Sequence, residues 1–136
     1  MKVKLDENAF MPERAHYADA GLDIRTPVDG VVFPCDSETI DTGVHVAIPT
    51  GYVGMLKSKS GLNVKKSITS EGVIDSGYTG SIVVKLYNHG EDNYYFKRGD
   101  KITQLVILPV ALFDIELVDV LEETERGDKG FGSTGL

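Results

Sequence analysis

Short runs of β-branched and aliphatic residues, separated by glycine or proline, are the feature that most constrains the fold of this chain. The clearest runs occupy residues 44–48, 81–88, 102–108 and 115–120, and a shorter one occupies 31–33 between Gly30 and Pro34. In the first run Val44, Val46 and Ile48 alternate with other residues, which is the spacing of a strand with one buried face. Several short strands with turn residues between them predict an all-β domain, a sandwich or a barrel.

Only one segment predicts a helix, and it is short. Residues 61–66 could form one or two helical turns, with Ser60 as the N-cap. No internal repeat or linker interrupts residues 1–125, which we interpret as a single core. Residues 126–136 form a separate glycine-rich tail, whose simplest interpretation is a frayed end.

Composition limits the partners that this chain can bind. Its formal net charge is −7, with 14 basic and 21 acidic residues, which argues against a broad nucleic-acid surface. A few focused cations and backbone N–H groups could still hold a small anion, especially one that carries Mg²⁺. No apolar run approaches the roughly 20 residues of a membrane helix, and the first residues do not resemble a signal peptide. Cys35 is the only cysteine, so an internal disulfide is excluded and a cytoplasmic location is expected.

Four stretches contain side chains suited to chemistry, although each has a simpler explanation. Asp75 and Tyr78 lie among glycines at 71–80, where a carboxylate could deprotonate water or merely form an Asx-turn in a hairpin. Residues 57–61 combine two lysines, two serines and a glycine, which suits a phosphate cradle or a solvated loop. Residues 98–104 read as a turn that enters a strand, and the tail could wrap a ligand. The three histidines are far apart and lack ligand neighbours, so no metal cluster is predicted.

Taken together, these stretches resemble the five motifs of the trimeric dUTPase family, in the family's order. Segments 20–24 and 58–62 are similar to motifs one and two, and 72–80 matches motif three. Segment 99–105 resembles motif four and 126–135 resembles motif five. The resemblance runs from Ala20 to the C-terminus, and motifs three and five are the specific ones.

The resemblance implies a jelly-roll-like, distorted β-barrel with at most one short helix, assembled as a homotrimer whose three active sites each use all three chains. It implies hydrolysis of dUTP to dUMP and pyrophosphate, which keeps uracil out of DNA and supplies dUMP for thymidylate synthesis. Asp75 would orient the water that attacks the α-phosphorus, and Tyr78 would lie under the deoxyribose. Asp23 would support the site without binding metal.

The remaining site residues follow from the same resemblance. The hairpin 69–75 would read uracil through its backbone, and the arm 126–136 would close over the active site. Mg²⁺ would be held by the triphosphate and water, with no direct protein ligand. The implied substrate-binding residues are Lys59, Ser60, Gly61, Thr69, Val73, Ile74, Tyr78, Gln104, Arg126, Phe131, Gly132, Ser133 and Thr134.

The chain departs from the family pattern at several of these positions. Lys59 stands where arginine is usual, which keeps the charge but loses the bidentate fork. Ser58 occupies a common proline position, and Thr69 occupies one where asparagine often contacts uracil. Gly77, Ser81 and Lys129 also differ from the commonest residues.

Two alternatives stay open at this stage. A dCTP deaminase shares the fold and part of motif three, but it needs a glutamate near position 85, where this chain has Lys85. A non-catalytic jelly-roll binding protein would not need Asp75, Tyr78, Arg126 and Phe131 together. A further role in binding a regulatory protein partner is not readable from the sequence.

Overall fold

Ten strands and one helix make up the fold of this chain, seen in a computed structural model that describes residues 1–128. Most strands are short and alternate buried with exposed residues, as the punctuated sequence predicts. The strands and the helix have these bounds: β1 Lys2–Leu5, β2 Gly21–Arg25, β3 Gly30–Val32, β4 Ser37–Ala47, β5 Tyr52–Lys57, α1 Ser60–Lys66, β6 Ile68–Thr69, β7 Glu71–Ile74, β8 Ser81–Asn88, β9 Tyr94–Phe96 and β10 Lys101–Pro109.

Two four-stranded antiparallel sheets form the body of the molecule. The first has the order β1-β4-β8-β6, the second has the order β2-β10-β5-β7, and β3 pairs with β9 in a small ribbon. Neighbours in each sheet are mostly distant in sequence, as expected for a jelly-roll-like arrangement. The predicted all-β class is therefore confirmed.

The core lies between the two large sheets. Strand β8 alternates strictly, so that Ile82, Val84 and Leu86 are fully buried. Strands of the other sheet contribute Ile24 and Leu105, which are also fully buried in the same cluster. This two-layer core fixes the strand register, because a slip by one residue would expose a whole buried face.

The short helix forms where the sequence predicts it, but its beginning differs. Lys59, not Ser60, occupies the N-cap position with an extended backbone, and no side chain caps the helix. The Lys59 carbonyl accepts the Asn63 N–H at 2.9 Å, so Ser60 is already the first helical residue. The predicted N-cap role of Ser60 is wrong because the helix starts one residue earlier than its hydrophobic pattern indicates.

The predicted strand at 115–120 is also wrong. Strand β10 ends at Pro109, and residues 110–128 contain no strand or helix. Ile115 and Leu117 are almost fully exposed, at 99% and 97%. The segment has the alternation of a strand but finds no pairing edge within its own subunit in the part of the chain that the structure describes. Residues 1–128 also contain no helix long and apolar enough to cross a membrane.

Candidate active site

The loop between β7 and β8 carries the predicted base. Its first turn spans Asp75 to Tyr78, closed by a hydrogen bond that the Tyr78 N–H donates to the Asp75 carbonyl at 3.2 Å. Gly77 has a φ of 87°, a left-handed conformation that explains a glycine at the third position of this turn. The turn leaves Asp75 exposed to solvent, where its carboxylate can meet water and substrate.

Tyr78 folds back over its own loop. Its hydroxyl donates to the Ser81 carbonyl at 2.9 Å. A Cβ added to Gly80 would lie 2.4 Å from the Tyr78 hydroxyl oxygen, so the ring requires glycine beneath it. The ring remains about half exposed, and it therefore offers a fixed flat surface beside Asp75.

A second group of residues surrounds Asp23 on β2. This carboxylate is buried, and it forms ion pairs with Lys59 and with Lys101, the latter at 2.6 Å. Burial raises the pKa of Asp23, but hydrogen bonds and charges from Lys101 and Lys59 outweigh burial and hold the pKa below its ordinary value. Asp23 thus uses one oxygen to hold Lys59 and the other to hold Lys101.

Asp23 and Lys59 border a small cavity of about 300 Å³. Gln104 on β10 also lines it and donates its amide to the Ser58 carbonyl at 3.2 Å. The cavity brings residues of motifs one, two and four together in space. Its lining residues are Ala15, Asp19, Ala20, Gly21, Asp23, Lys59, Gln104 and Val106.

A buried hydroxyl network links this cavity to the hairpin, and the sequence analysis missed it. Ser58 and the Ser70 backbone exchange two hydrogen bonds, at 2.9 and 3.1 Å. The Ser70 hydroxyl lies 2.6 Å from that of Thr103, which donates to the Lys57 carbonyl at 3.0 Å. The sequence signal that could have revealed this network is that Ser58 and Thr103 both lie within motif segments, 58–62 and 99–105. Lys101 was missed as well, although it belongs to motif four.

Within one subunit the structure does not bring Asp75 to the cavity. Strand β5 pairs with β7 so that Lys57 faces Glu71 and Gly54 faces Ile74. Lys59 therefore follows the C-terminal end of β5, whereas Asp75 follows Ile74 beside the N-terminal half of that strand. Lys57 and Gly54 are roughly 10 Å apart at about 3.3 Å per residue, and Lys59 and Asp75 lie further out in opposite directions. A single chain thus holds Asp75 apart from the cavity that Asp23, Lys59 and Gln104 line.

The other predicted residues have mixed surroundings. The Thr69 hydroxyl lies 2.9 Å from His89 Nε2, so it is engaged within the protein. Val73 is exposed and Ile74 is buried on β7. Ser60 and Gly61 are exposed in the first turn of α1. Arg126 lies near the end of the described residues, whereas Phe131, Gly132, Ser133 and Thr134 lie outside them.

Comparison with known proteins decides the family. The family model of the dUTPases matches residues 7–135. The chain belongs to the dUTPase family. A deoxyuridine 5'-triphosphate nucleotidohydrolase from Corynebacterium glutamicum is 42% identical over 98% of this chain and 92% of its own length. The enzyme of that name from Mus musculus is 39% identical over 98% of this chain and 83% of its own.

Solved dUTPase structures have the same fold. The dUTPase of Staphylococcus bacteriophage 80alpha, described with the nucleotide analogue dUPNHPP, superposes with a TM-score of 0.93. It is 36% identical to this chain, and the match covers 99% of this chain and 98% of that one. A mutant dUTPase from phage phi11, with a TM-score of 0.82 and 33% identity over 90% of this chain and 98% of that one, is described as coordinating a structural Mg(II) ion. This chain therefore has the jelly-roll-like fold of the dUTPase family. Members of that family assemble as trimers.

Proposed function

We propose that this chain hydrolyses dUTP to dUMP and pyrophosphate at sites shared between subunits, with Asp75 as the base. The chain is a dUTP diphosphatase of the dUTPase family. Its product dUMP serves thymidylate synthesis, and removing dUTP keeps uracil out of DNA. The observation that carries the assignment of residues is the exposed Asp75 in the turn that also positions Tyr78.

The reaction we propose needs one base and a held triphosphate. Asp75 accepts a proton from water as the water oxygen forms a bond to the α-phosphorus. The bond between the α-phosphorus and the oxygen bridging to the β-phosphate breaks, and pyrophosphate leaves with that oxygen. Exposure of Asp75 supports this role, because an exposed carboxylate can meet both water and substrate.

The cavity around Asp23 suits the triphosphate. Lys59 and Gln104 converge there, and the first backbone N–H groups of a helix, at Ser60 and Gly61, have no partner within the helix. The buried Asp23 would hold Lys59 in place before the nucleotide arrives. By the family resemblance, Gln104 would lie near the α-phosphate, and the Ser58 carbonyl holds its amide in place.

Mg²⁺ fits this site as part of the substrate. No group of three or more His, Cys, Asp or Glu residues within 1–128 could hold a metal ion. Asp23, the one buried carboxylate at the cavity, has both oxygens directed at lysines. A net charge of −7 would also repel a bare nucleotide tetra-anion. We therefore propose that the triphosphate and water would hold the ion, which would shield the negative charge of the phosphates.

Selectivity would arise in the hairpin and in Tyr78. A narrow slot between backbone groups of 69–75 would exclude the 5-methyl group of thymine. The Tyr78 ring, fixed on Gly80, would exclude a ribose 2′-hydroxyl by contact. The Thr69 hydroxyl is already bonded to His89, so uracil would be read by the backbone of Val73 and Ile74, not by that side chain.

The two separated halves would meet between subunits. The family assembles as homotrimers, and β5 separates Asp75 from Lys59 in each chain. We infer that motif three of one chain completes the cavity of another. The exposed apolar residues from Leu112 to Leu121 suit burial against a neighbouring subunit, because an isolated chain rarely exposes so continuous an apolar segment.

The arm 126–136 would supply the third chain's contribution. By its resemblance to motif five, Arg126 would bind the γ-phosphate and Phe131 would cover the uracil, with Gly132, Ser133 and Thr134 adding donors. We propose that these residues close over the nucleotide as a lid, in an enzyme that acts in the cytoplasm.

Pyrophosphate release from dUTP, dTTP, UTP and dCTP tests this proposal. We expect a strong preference for dUTP, because unmatched buried hydrogen bonds discriminate by about 10⁴-fold or more. Hydrolysis in ¹⁸O-labelled water should place the label in dUMP, since attack is at the α-phosphorus. Label in pyrophosphate, or equal kcat/KM for dUTP and dCTP, would contradict the proposal.

A further inference from the structure

His45 on β4 bridges the N-terminal strand to the loop of the proposed base. Its Nδ1 lies 2.8 Å from the Thr79 carbonyl oxygen, and its Nε2 lies 3.0 Å from Asp6 Oδ2. Thr79 follows Tyr78 directly in the chain, and the His45 side chain is only 16% exposed. The bridge therefore contacts the loop one residue away from the ring that we place under the deoxyribose.

Both partners of the imidazole can only accept hydrogen bonds. A backbone carbonyl has no proton to donate, and an ionised carboxylate has none either. A neutral imidazole carries a single N–H, so it can satisfy one of the two partners but not both. The geometry at His45 therefore requires the imidazolium, with a proton on each nitrogen.

The charged neighbours of His45 have opposite effects on its pKa. Asp6 follows β1 and also pairs with Lys4 at 3.4 Å, and Lys4 is the cross-strand partner of His45. Asp41 lies on the same strand as His45 and accepts hydrogen bonds from the Ser81 hydroxyl and the Gly43 N–H. The hydrogen bonds to Asp6 and then to the Thr79 carbonyl raise the pKa of His45, against weaker opposing effects of burial and Lys4.

The same strand thus anchors the loop at two points. Asp41 binds the side chain of Ser81, and His45 binds the backbone of Thr79. Ser81 in turn offers its carbonyl to the Tyr78 hydroxyl. Of these anchors, only the one at His45 depends on a proton that an imidazole loses as pH rises.

We propose that His45, as an imidazolium held between Asp6 and the Thr79 carbonyl, is a positioning residue for the loop that carries Asp75 and Tyr78. Loss of its proton as pH rises leaves a single N–H, which the ionised Asp6 holds as the stronger acceptor. The bond to the Thr79 carbonyl is then lost, and the loop loosens. This inference rests on the proposed roles of Asp75 and Tyr78. The inference adds His45, a residue outside the family motifs, as a group that makes kcat/KM sensitive to pH.

The test compares pH profiles of kcat/KM for dUTP, measured with Mg²⁺ on the trimeric wild type and variants. His45→Ala should lower kcat/KM about 10-fold at pH 6.5, the scale of one lost hydrogen bond to a charged group. The change should appear mainly in KM, because the bond lies next to Tyr78. At alkaline pH the two profiles should converge, since the wild type has then lost the same contact. Parallel profiles would show a merely structural role and overturn the proposal.

Two further variants should extend activity to higher pH, whereas His45→Ala should lower it. Asp6→Asn lets a neutral imidazole donate from Nδ1 to Thr79 and accept from the new amide at Nε2, so activity should persist into alkaline pH. Lys4→Gln keeps both bonds and removes an opposing charge, so the alkaline fall should shift to higher pH. An Asp6→Asn profile identical to that of His45→Ala would contradict the bridge.

A measurement on the wild type keeps the proposal testable if a variant fails to fold. The ¹⁵N shifts of His45 should report two protonated nitrogens at pH 6, and the amide of Gly80 should titrate with the same midpoint. A neutral His45 at pH 6 would overturn the proposal. Asp75→Asn in the same assay separates failure of the proposed function from failure of the His45 inference. If Asp75→Asn abolishes turnover while the profiles of wild type and His45→Ala stay parallel, only the positioning role of His45 is wrong.

Discussion

Asp75 directly follows β7 and is exposed, and it forms no ion pair with any residue within 1–128. Asp75→Asn keeps the size of the side chain and removes the base. We expect kcat to fall at least ~100-fold, the usual scale for a general base, while binding of a non-hydrolysable dUTP analogue changes little. Single-turnover kinetics and calorimetry measure the two quantities. Asp92→Asn, an exposed carboxylate away from the loop, is the matched control, and an Asp75→Asn enzyme with most of its kcat would refute the assignment.

Asp23 makes a different contribution, to stability. Its pKa is lowered in the folded protein, so the stabilisation is present above the unfolded pKa of about 3.9 and is lost as pH falls through the folded value. Asp23→Asn should therefore lower the free energy of unfolding by about 1–3 kcal/mol at pH 7, the range for hydrogen bonds to a charged group.

That difference should shrink below about pH 4, because the unfolded carboxylate then takes up a proton while the folded one, whose pKa is lowered, still resists protonation. Urea unfolding of both proteins at pH 7 and pH 3.5 measures it. A difference that stays constant with pH would mean that packing, and not the ion pairs with Lys59 and Lys101, accounts for the effect.

At the scale of elements, the sequence predicts strands well where both of their faces are determined within one subunit. Strand β8 has the predicted bounds, and β10 exceeds its prediction by one residue at each end. Strand β5 was missed because Gly54 interrupts its apolar pattern; the glycine is there because a Cβ would lie 2.7 Å from Ile48. The segment 115–120 failed in the opposite way, since it alternates like a strand but pairs with no strand within residues 1–128.

For the candidate site, the sequence indicated the motif residues but not the contacts between them. Asp23, Lys59 and Gln104, which the resemblance places in the site, line one cavity. Local composition could not reveal that Lys101 shares Asp23 with Lys59, or that Ser58, Ser70 and Thr103 form one buried network. Those contacts join residues 12 to 78 positions apart in sequence, and only the sheet register brings them together.

The arm belongs to the same scale and gives a prediction of its own. Residues 126–136 carry few apolar side chains, so deleting them should leave the trimer and its melting temperature nearly unchanged. Turnover of dUTP should fall at least ~100-fold, because several contacts worth about 1–3 kcal/mol each are lost. Light scattering, calorimetry and steady-state kinetics of the truncated protein measure these quantities. Unfolding would make the arm structural, and full activity would exclude its role as a lid.

At the scale of the whole molecule, assembly and catalysis depend on each other. Each chain presents Asp75 and the Asp23 cavity at opposite ends of β5, and its segment 112–121 exposes apolar side chains. Both features are explained if three chains pack together and each completes the site of another. An active monomer of the 14.8 kDa chain would contradict this explanation.

Mixing two inactive variants tests the shared site most directly. Asp75→Asn subunits keep an intact cavity, and Lys59→Met subunits keep an intact base. After equal amounts are unfolded together and refolded, a site that combines a cavity from one chain with a base from another regains both groups in about a quarter of random pairings. The account predicts recovery of about a quarter of the wild-type turnover, whereas no activity above that of the separate variants would contradict it.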